Sequence, residues 1–135
     1  MSTSVYRAES DKSVDQFVAA FGQIAATRGF TIQNEDKMEM AHIFRAHGAD
    51  VAEEFDLHMV QVCKPTKAAQ SLDKNPERAV LMPKFVIAFT KEGKTQVRML
   101  KYGSGLIAEL VDDEEFSGSL EESFATLTTL IDAAV

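Results

Sequence analysis

The sequence predicts an α+β domain of two layers, a mostly antiparallel sheet with its helices packed on one face. Two observations carry this. The stretch from Leu57 to Tyr102 holds two apolar strands, Leu57–Cys63 and Phe85–Thr90, and a turn at Glu92-Gly93-Lys94 leads from the second into a third at Gln96–Tyr102. A glycine turn between two strand-forming runs makes an antiparallel hairpin. On either side lie two apolar stripes at helical spacing, Val14, Phe17, Val18, Phe21, Ile24 and Ala25, then Leu120, Phe124, Leu127, Ile131 and Ala134. Each stripe has to bury one helix face, and the sheet offers the surface for both.

Taken in order, Ser4 to Ala8 predicts a short strand on the strand formers Val5 and Tyr6. Ser13 opens the first helix, and Gln16 three residues on completes a capping box. Gly29 stops that helix, because glycine takes the left-handed C-cap conformation at little cost. Phe30 to Ile32 predicts a brief strand. Asn34 or Asp36 caps a second helix, in which Met40, Ile43, Phe44 and His47 share a face before Gly48 ends it. Ala49 to Asp56 predicts an acidic loop.

In the strand Leu57–Cys63 both alternate sets are partly apolar, Leu57, Met59, Gln61 and Cys63 against His58, Val60 and Val62. A strand with one wet face alternates more cleanly. Pro65 suits the first turn of a short helix, where its missing N–H costs nothing. Ala68, Ala69 and Leu72 give that helix a small inner face, and Asn75-Pro76 ends it. Phe85 to Thr90 is again apolar on both sides. Gln96 to Tyr102 is more polar, which predicts a place nearer the sheet edge. Leu106 to Val111 fits a helix or a strand equally. Ser119 and Glu122 form a second capping box ahead of the last helix.

At 135 residues the chain suffices for one domain and one core, spanning 1–135. A hydrophobic content of 45% is that of a folded protein. The net charge of −7 and the scatter of the 14 basic residues give no basic stripe, which argues against nucleic acid. No apolar run reaches the roughly 18 residues of a membrane span. The opening MSTSVYRAESDK has no apolar segment and does not read as a secretory signal. A single cysteine forms no internal disulfide, which fits a cytoplasmic location.

The Gly29-Phe30 at the end of the first helix, the Cys63-Lys64-Pro65 at a strand end, the short helix with Ala68, Ala69 and Leu72, and the Met82-Pro83-Lys84 before an apolar strand together form a pattern. It resembles the bacterial and archaeal family known as domain of unknown function 302, over about Val14 to Tyr102 and the last helix. Lys64 stands where that family commonly has asparagine, and Lys84 where some members have a second cysteine. The resemblance implies an α+β domain, helices against an antiparallel sheet, often paired as dimers. It implies no established activity, and the departure at Lys84 removes any two-cysteine redox or metal site.

Cys63 is the candidate thiol, placed where a strand meets a helix N-terminus, with Lys64 adding positive charge. Read otherwise, it is a small buried hydrophobe. The turn of Lys64, Thr66 and Lys67 is a candidate ligand site for a small anion, since helix N-termini expose N–H groups and two lysines flank them. His42, His47 and His58 do not assemble a metal site. The first two are five apart, about 500° around a helix, and His58 alternates against Cys63. The acidic groups Glu53, Glu54, Asp56 and Asp112 to Glu115 read as solvated loops. The first functional expectation is a non-catalytic small-ligand-binding or interaction module. The alternative is a small cysteine-dependent enzyme or redox sensor using Cys63. No cofactor and no metal is expected.

The strands also predict assembly. Val60, Val62, Val86, Ala88, Phe85, Ile87 and Phe89 leave little polar surface on either side of the central pair. If the helices take one face, the other is apolar and needs a cover. A homodimer about a two-fold axis supplies it, or else Leu106 to Val111 folds across it.

Overall fold

A computed structural model describes Ser2 to Val135. Its strands are β1 (Ser4–Ser10), β2 (Thr31–Ile32), β3 (Leu57–Cys63), β4 (Lys84–Lys91) and β5 (Lys94–Lys101). Its helices are α1 (Val14–Ala26), α2 (Met40–Ala46), α3 (Pro65–Lys74), α4 (Ser104–Leu110) and α5 (Glu114–Ala134), with a 3₁₀ helix at Pro76–Leu81. The five strands form one sheet in the order β1-β5-β4-β3-β2, antiparallel at every pairing. The fold is α+β, as the hairpin and the two stripes predict.

The hairpin between β4 and β5 turns on Glu92 and Gly93, both at positive φ (55° and 76°). Two left-handed residues make the turn whose twist matches that of paired strands. β5 lies nearer the sheet edge than β4, as its polarity predicts, but is not the edge strand itself, because β1 pairs along it from Ser4–Lys101 to Ser10–Thr95. Its polar residues find partners on the outer face instead. Gln96 donates to Glu9 at 2.9 Å, and the Arg98 guanidinium lies 5.5 Å from the centre of the Phe89 ring.

The capping box at Ser13 and Gln16 forms as expected. Asn34, by contrast, caps nothing. Its amide donates to the Met59 carbonyl at 2.9 Å and accepts from the Gln61 N–H at 2.8 Å, continuing the sheet beyond β2 along the free edge of β3. With that side chain committed, α2 is capped by Glu39, whose carboxylate accepts from the N–H groups of Ala41 and His42. Only Ala41 of α2 is buried, and His47 is an exposed C-cap rather than part of a shared face. Ala69 likewise faces solvent, leaving Ala68 and Leu72 as the half-buried side of α3.

The last helix begins earlier than Ser119. Asp113 is its cap and accepts from the Phe116 N–H at 3.2 Å, followed by Glu114 and Glu115 in the first turn, where the helix dipole favours negative charge. So Asp113 is no solvated loop residue. Arg78, itself buried, grips it with two hydrogen bonds of 2.6 and 3.0 Å, and the Asn75 amide adds a third at 2.9 Å. Arg78 also donates to the Ser71 hydroxyl at 2.9 Å and lies over the Phe116 ring. One pair therefore ties α3, the 3₁₀ helix and the start of α5 together.

α1 and α5 cover the inner sheet face. Val14, Phe17 and Phe21 of α1 meet Leu120, Phe124, Leu127 and Ile131 of α5 over Val60, Val62, Val86, Ala88, Val97 and Met99. Ile24 is half-buried at the rim of this cluster. Residues 106–110 resolve as helix, with Val111 as its extended C-cap: Ile107 and Val111 join the core, while Leu110 is 57% exposed. α4 is thus docked in the core layer and does not fold across the outer face. That face carries Leu57, Met59, Phe85, Ile87 and Phe89, all half-buried.

Phe124 is 2% exposed and meets Tyr102 edge-on at 5.6 Å. Phe124→Ala is expected to cost about 3–5 kcal/mol in chemical denaturation; a loss below ~1 kcal/mol would be that of a surface position. The Arg78 hydrogen bonds, then the Asn75 one, hold the Asp113 carboxyl near 2, below its ordinary 3.8. A lowered folded-state value contributes stability that is present above about pH 4 and disappears as pH falls through about 2. Denaturant melts across that window are expected to lose stability in the natural protein, and Asp113→Asn to lack that part of the loss. An identical acid slope in the variant would refute the coupling.

Candidate functional site

Register and helix phase bring the site together. β3 ends at Cys63 and β4 starts at Lys84, with Val62 opposite Lys84. Paired residues share a sheet face, so Lys84 stands on the buried side with Val86 and Ala88. Lys64 then caps α3 through its backbone, with no side-chain capping bond, and Pro65 opens the helix. Across from these strand ends runs the first half of α5. Between them lies a small cavity of about 40 Å³, with Phe30, Met82, Phe116 and Leu120 as its apolar wall. Cys63, Lys64, Lys67, Ser71, Lys84, Ser119 and Ser123 supply the polar atoms. Lys67, Ser71 and Ser119 also line a wider open groove of about 400 Å³ beside it.

Three cations converge here. Lys64 Nζ lies 5.8 Å from the centre of the Phe30 ring. Its stem packs on Gly29, where an added Cβ would come within 3.3 Å of Lys64 Cε, and where φ is +80°. Gly29 is thus required for the helix exit and for the seat of Lys64. Lys67 Nζ donates to the Ser119 carbonyl at 3.2 Å and to the Ser123 hydroxyl at 2.9 Å. Lys84 Nζ donates to the Met82 carbonyl at 3.2 Å and lies 5.9 Å from the Phe124 ring centre. Among the described residues, none of the three has a carboxylate partner. Burial pulls the Lys84 ammonium down to about 8, with Cys63 opposing and Lys67 adding to the fall.

Of the residues singled out from the sequence, Cys63, Lys64 and Lys67 line this cavity, and Cys63 is half-buried. Thr66 is exposed and outside the lining. Lys84, Ser119 and Ser123 emerge only from the fold. The signal for Lys84 was a charge on the buried parity of an apolar strand. For Ser123 it was a hydroxyl on the stripe of Leu120 and Leu127.

His58 sits at the other end of β3 and is 4% exposed. Its Nε2 lies 3.3 Å from Asp15 and its Nδ1 3.5 Å from Asp56. Burial raises the Asp56 carboxyl, with His58 opposing. His58 closes one end of a groove of about 630 Å³ between α1 and the β2 edge, floored by Val18, Gly22, Phe30 and Ile32. His42 and His47 are exposed on and just after α2. No group of three or more His, Cys, Asp or Glu residues suited to a metal ion occurs among the described residues. No helix among them is long and apolar enough to cross a membrane.

What the first cavity can do chemically is hold negative charge. It concentrates three ammonium groups against hydroxyls, a thiol and apolar walls, and an anion there gains from low dielectric and from charge-assisted hydrogen bonds.

No functionally curated protein matches this chain. It is similar in fold to an uncharacterized conserved DUF302 protein from Bacillus stearothermophilus, known from a crystal structure. The two share 17% identity over 97% of this chain and 98% of that one, with a TM-score of 0.76. The pattern of Gly29-Phe30, Cys63-Lys64-Pro65 and Met82-Pro83 accords with a wider match, since the domain of unknown function DUF302 extends over residues 6–134, and the chain belongs to that family.

Proposed function

We propose that this protein is a non-catalytic binding module for a small anion, a carboxylate or a phosphate, held in the cavity of Lys64, Lys67 and Lys84. One observation carries the reading: Lys84 presents a largely buried ammonium to a cavity, with no carboxylate partner among the described residues. A buried charge without a counter-charge is unfavourable in the free protein and is relieved by an anionic ligand. Lys67 is pre-positioned by Ser119 and Ser123, and the open groove beside it gives access. A second reading, thiol chemistry at Cys63, rests on that residue lining the same cavity as Lys84. It has no histidine base beside it, since His58 lies at the far end of β3. The half-buried single thiol is consistent with work in a reducing cytoplasm.

We also read the protein as a homodimer joined through the outer sheet face. Leu57, Met59, Phe85, Ile87 and Phe89 form its centre, and α4 is engaged elsewhere. Apolar faces of this kind are covered in soluble proteins, and two-fold pairing is the commonest means.

The Lys84 pKa falls from 10.5 to about 8 on folding, so burial of its charge costs stability below pH 8 and the cost fades as pH rises toward 10.5. Lys84→Met is therefore expected to stabilise the unliganded protein at pH 7 by about 1–3 kcal/mol. Phosphate or acetate is expected to raise the melting temperature of the natural protein and not of the variant. A natural protein whose melting point ignores both anions at millimolar concentration would sink the binding reading. Light scattering at micromolar concentration is expected to give twice the single-chain 14.9 kDa. The single-chain mass, unchanged on concentrating, would exclude the dimer.

A further inference from the structure

Building on the anion-binding reading, we propose that the cavity captures small 2-oxo acids covalently and reversibly, through an imine on Lys84. The class follows from the geometry. Lys64 and Lys67 enter from the α3 side and suit a carboxylate. Lys84 enters from the sheet side and donates to the Met82 carbonyl, and among the described residues its nitrogen is not held in an ion pair. The space between is about 40 Å³, room for only a few heavy atoms. A ligand that meets both groups in so small a space is short, and a carbonyl directly beside a carboxylate is the shortest such arrangement.

The environment of the nitrogen fits a nucleophile. Facing Lys84 are Cys63 from β3 and Lys67 from α3, while the α5 wall presents the Ser119 and Ser123 hydroxyls with Phe116 and Leu120. The lysine is desolvated and repelled by a second cation, which are the conditions that leave an amine free near neutral pH. At a value of about 8, roughly a tenth of it is unprotonated at pH 7. In the step itself the amine attacks the ketone carbon and a C–N bond forms. The carbonyl oxygen then leaves as water, taking the two amine hydrogens, and a neutral imine remains. No electrons are gained or lost, and hydrolysis reverses the capture.

Pyruvate with sodium cyanoborohydride, which reduces an imine to a stable secondary amine, tests this on the whole chain by intact mass and peptide mapping. The expected result is one adduct, at Lys84, formed about tenfold or more faster than at any other lysine. Its rate saturates with pyruvate, and lactate, which keeps the carboxylate but has no ketone, slows it. Lys84→Arg keeps the charge and is expected to lose the adduct while retaining lactate binding. Lys67→Met is expected to slow trapping with Lys84 intact. Lactate binding without a Lys84 adduct overturns the covalent step and leaves the anion-binding reading standing. Adducts scattered over surface lysines without saturation overturn it as well. If neither lactate nor pyruvate engages the natural protein, the 2-oxo acid proposal falls, while the response to phosphate and acetate decides the anion-binding reading separately.

Discussion

The Arg78–Asp113 pair is the interaction on which the rest of the site depends. Asp113 decides where α5 begins, and the start of a helix sets the phase of every later residue in it. Once the cap is fixed, the helical period places Phe116, Ser119, Leu120 and Ser123 toward the strand ends and Phe124, Leu127 and Ile131 toward the sheet. Arg78 fixes the same point from the other side, since its remaining nitrogen holds Ser71 of α3. The two walls of the cavity are thus set by one guanidinium. Compared with an apolar pair of the same volume such a pair gains little, because desolvation offsets attraction, but removing one partner is costly and the pair defines geometry.

Lys84 is the opposite case. Arg78 is buried with its counter-charge, and Lys84 without one among the described residues. Natural cores do not keep an unpaired ammonium for stability, which is why the binding reading starts there. The two cations differ chemically as well. Arginine remains charged and forks onto a carboxylate, whereas a desolvated lysine can give up its proton. Arg78 thus holds the walls, while Lys84 faces the space between them.

Much of the fold was legible in the sequence because it depends on short-range signals. The Ser13–Gln16 box, the Gly93 turn, Pro65 and the two stripes all act within a few residues, and each leads to the element observed. What was not legible depends on partners distant in sequence. Asn34 looks like a helix cap until β3 takes its amide. Ser119 and Glu122 look like a capping box until Arg78, some 35 residues away from Asp113, marks the earlier start. Leu106 to Val111 is too short for its period to decide, and docking against α5 decides it. The candidate site divides in the same way. Lys64 and Lys67 were visible beside a proline-led helix, while Lys84 and Ser123 became visible only when the register and the phase of α5 were known.

The use of Asn34 in place of backbone has a further consequence for strand addition. Along β3 the outward N–H and C=O groups are already taken by residues 31–39, so an incoming peptide finds no row of free groups there. The other margin of the sheet is β1, which pairs only with β5. Its side chains alternate in charge through Arg7 and Glu9, and the Arg7 guanidinium reaches the carbonyl of Val5. Charged, partly occupied margins discourage edge-to-edge stacking and the fibrillar growth to which it leads. The proposed pairing through the outer face would then be self-limiting, since margins of this kind offer no route for a stack to grow.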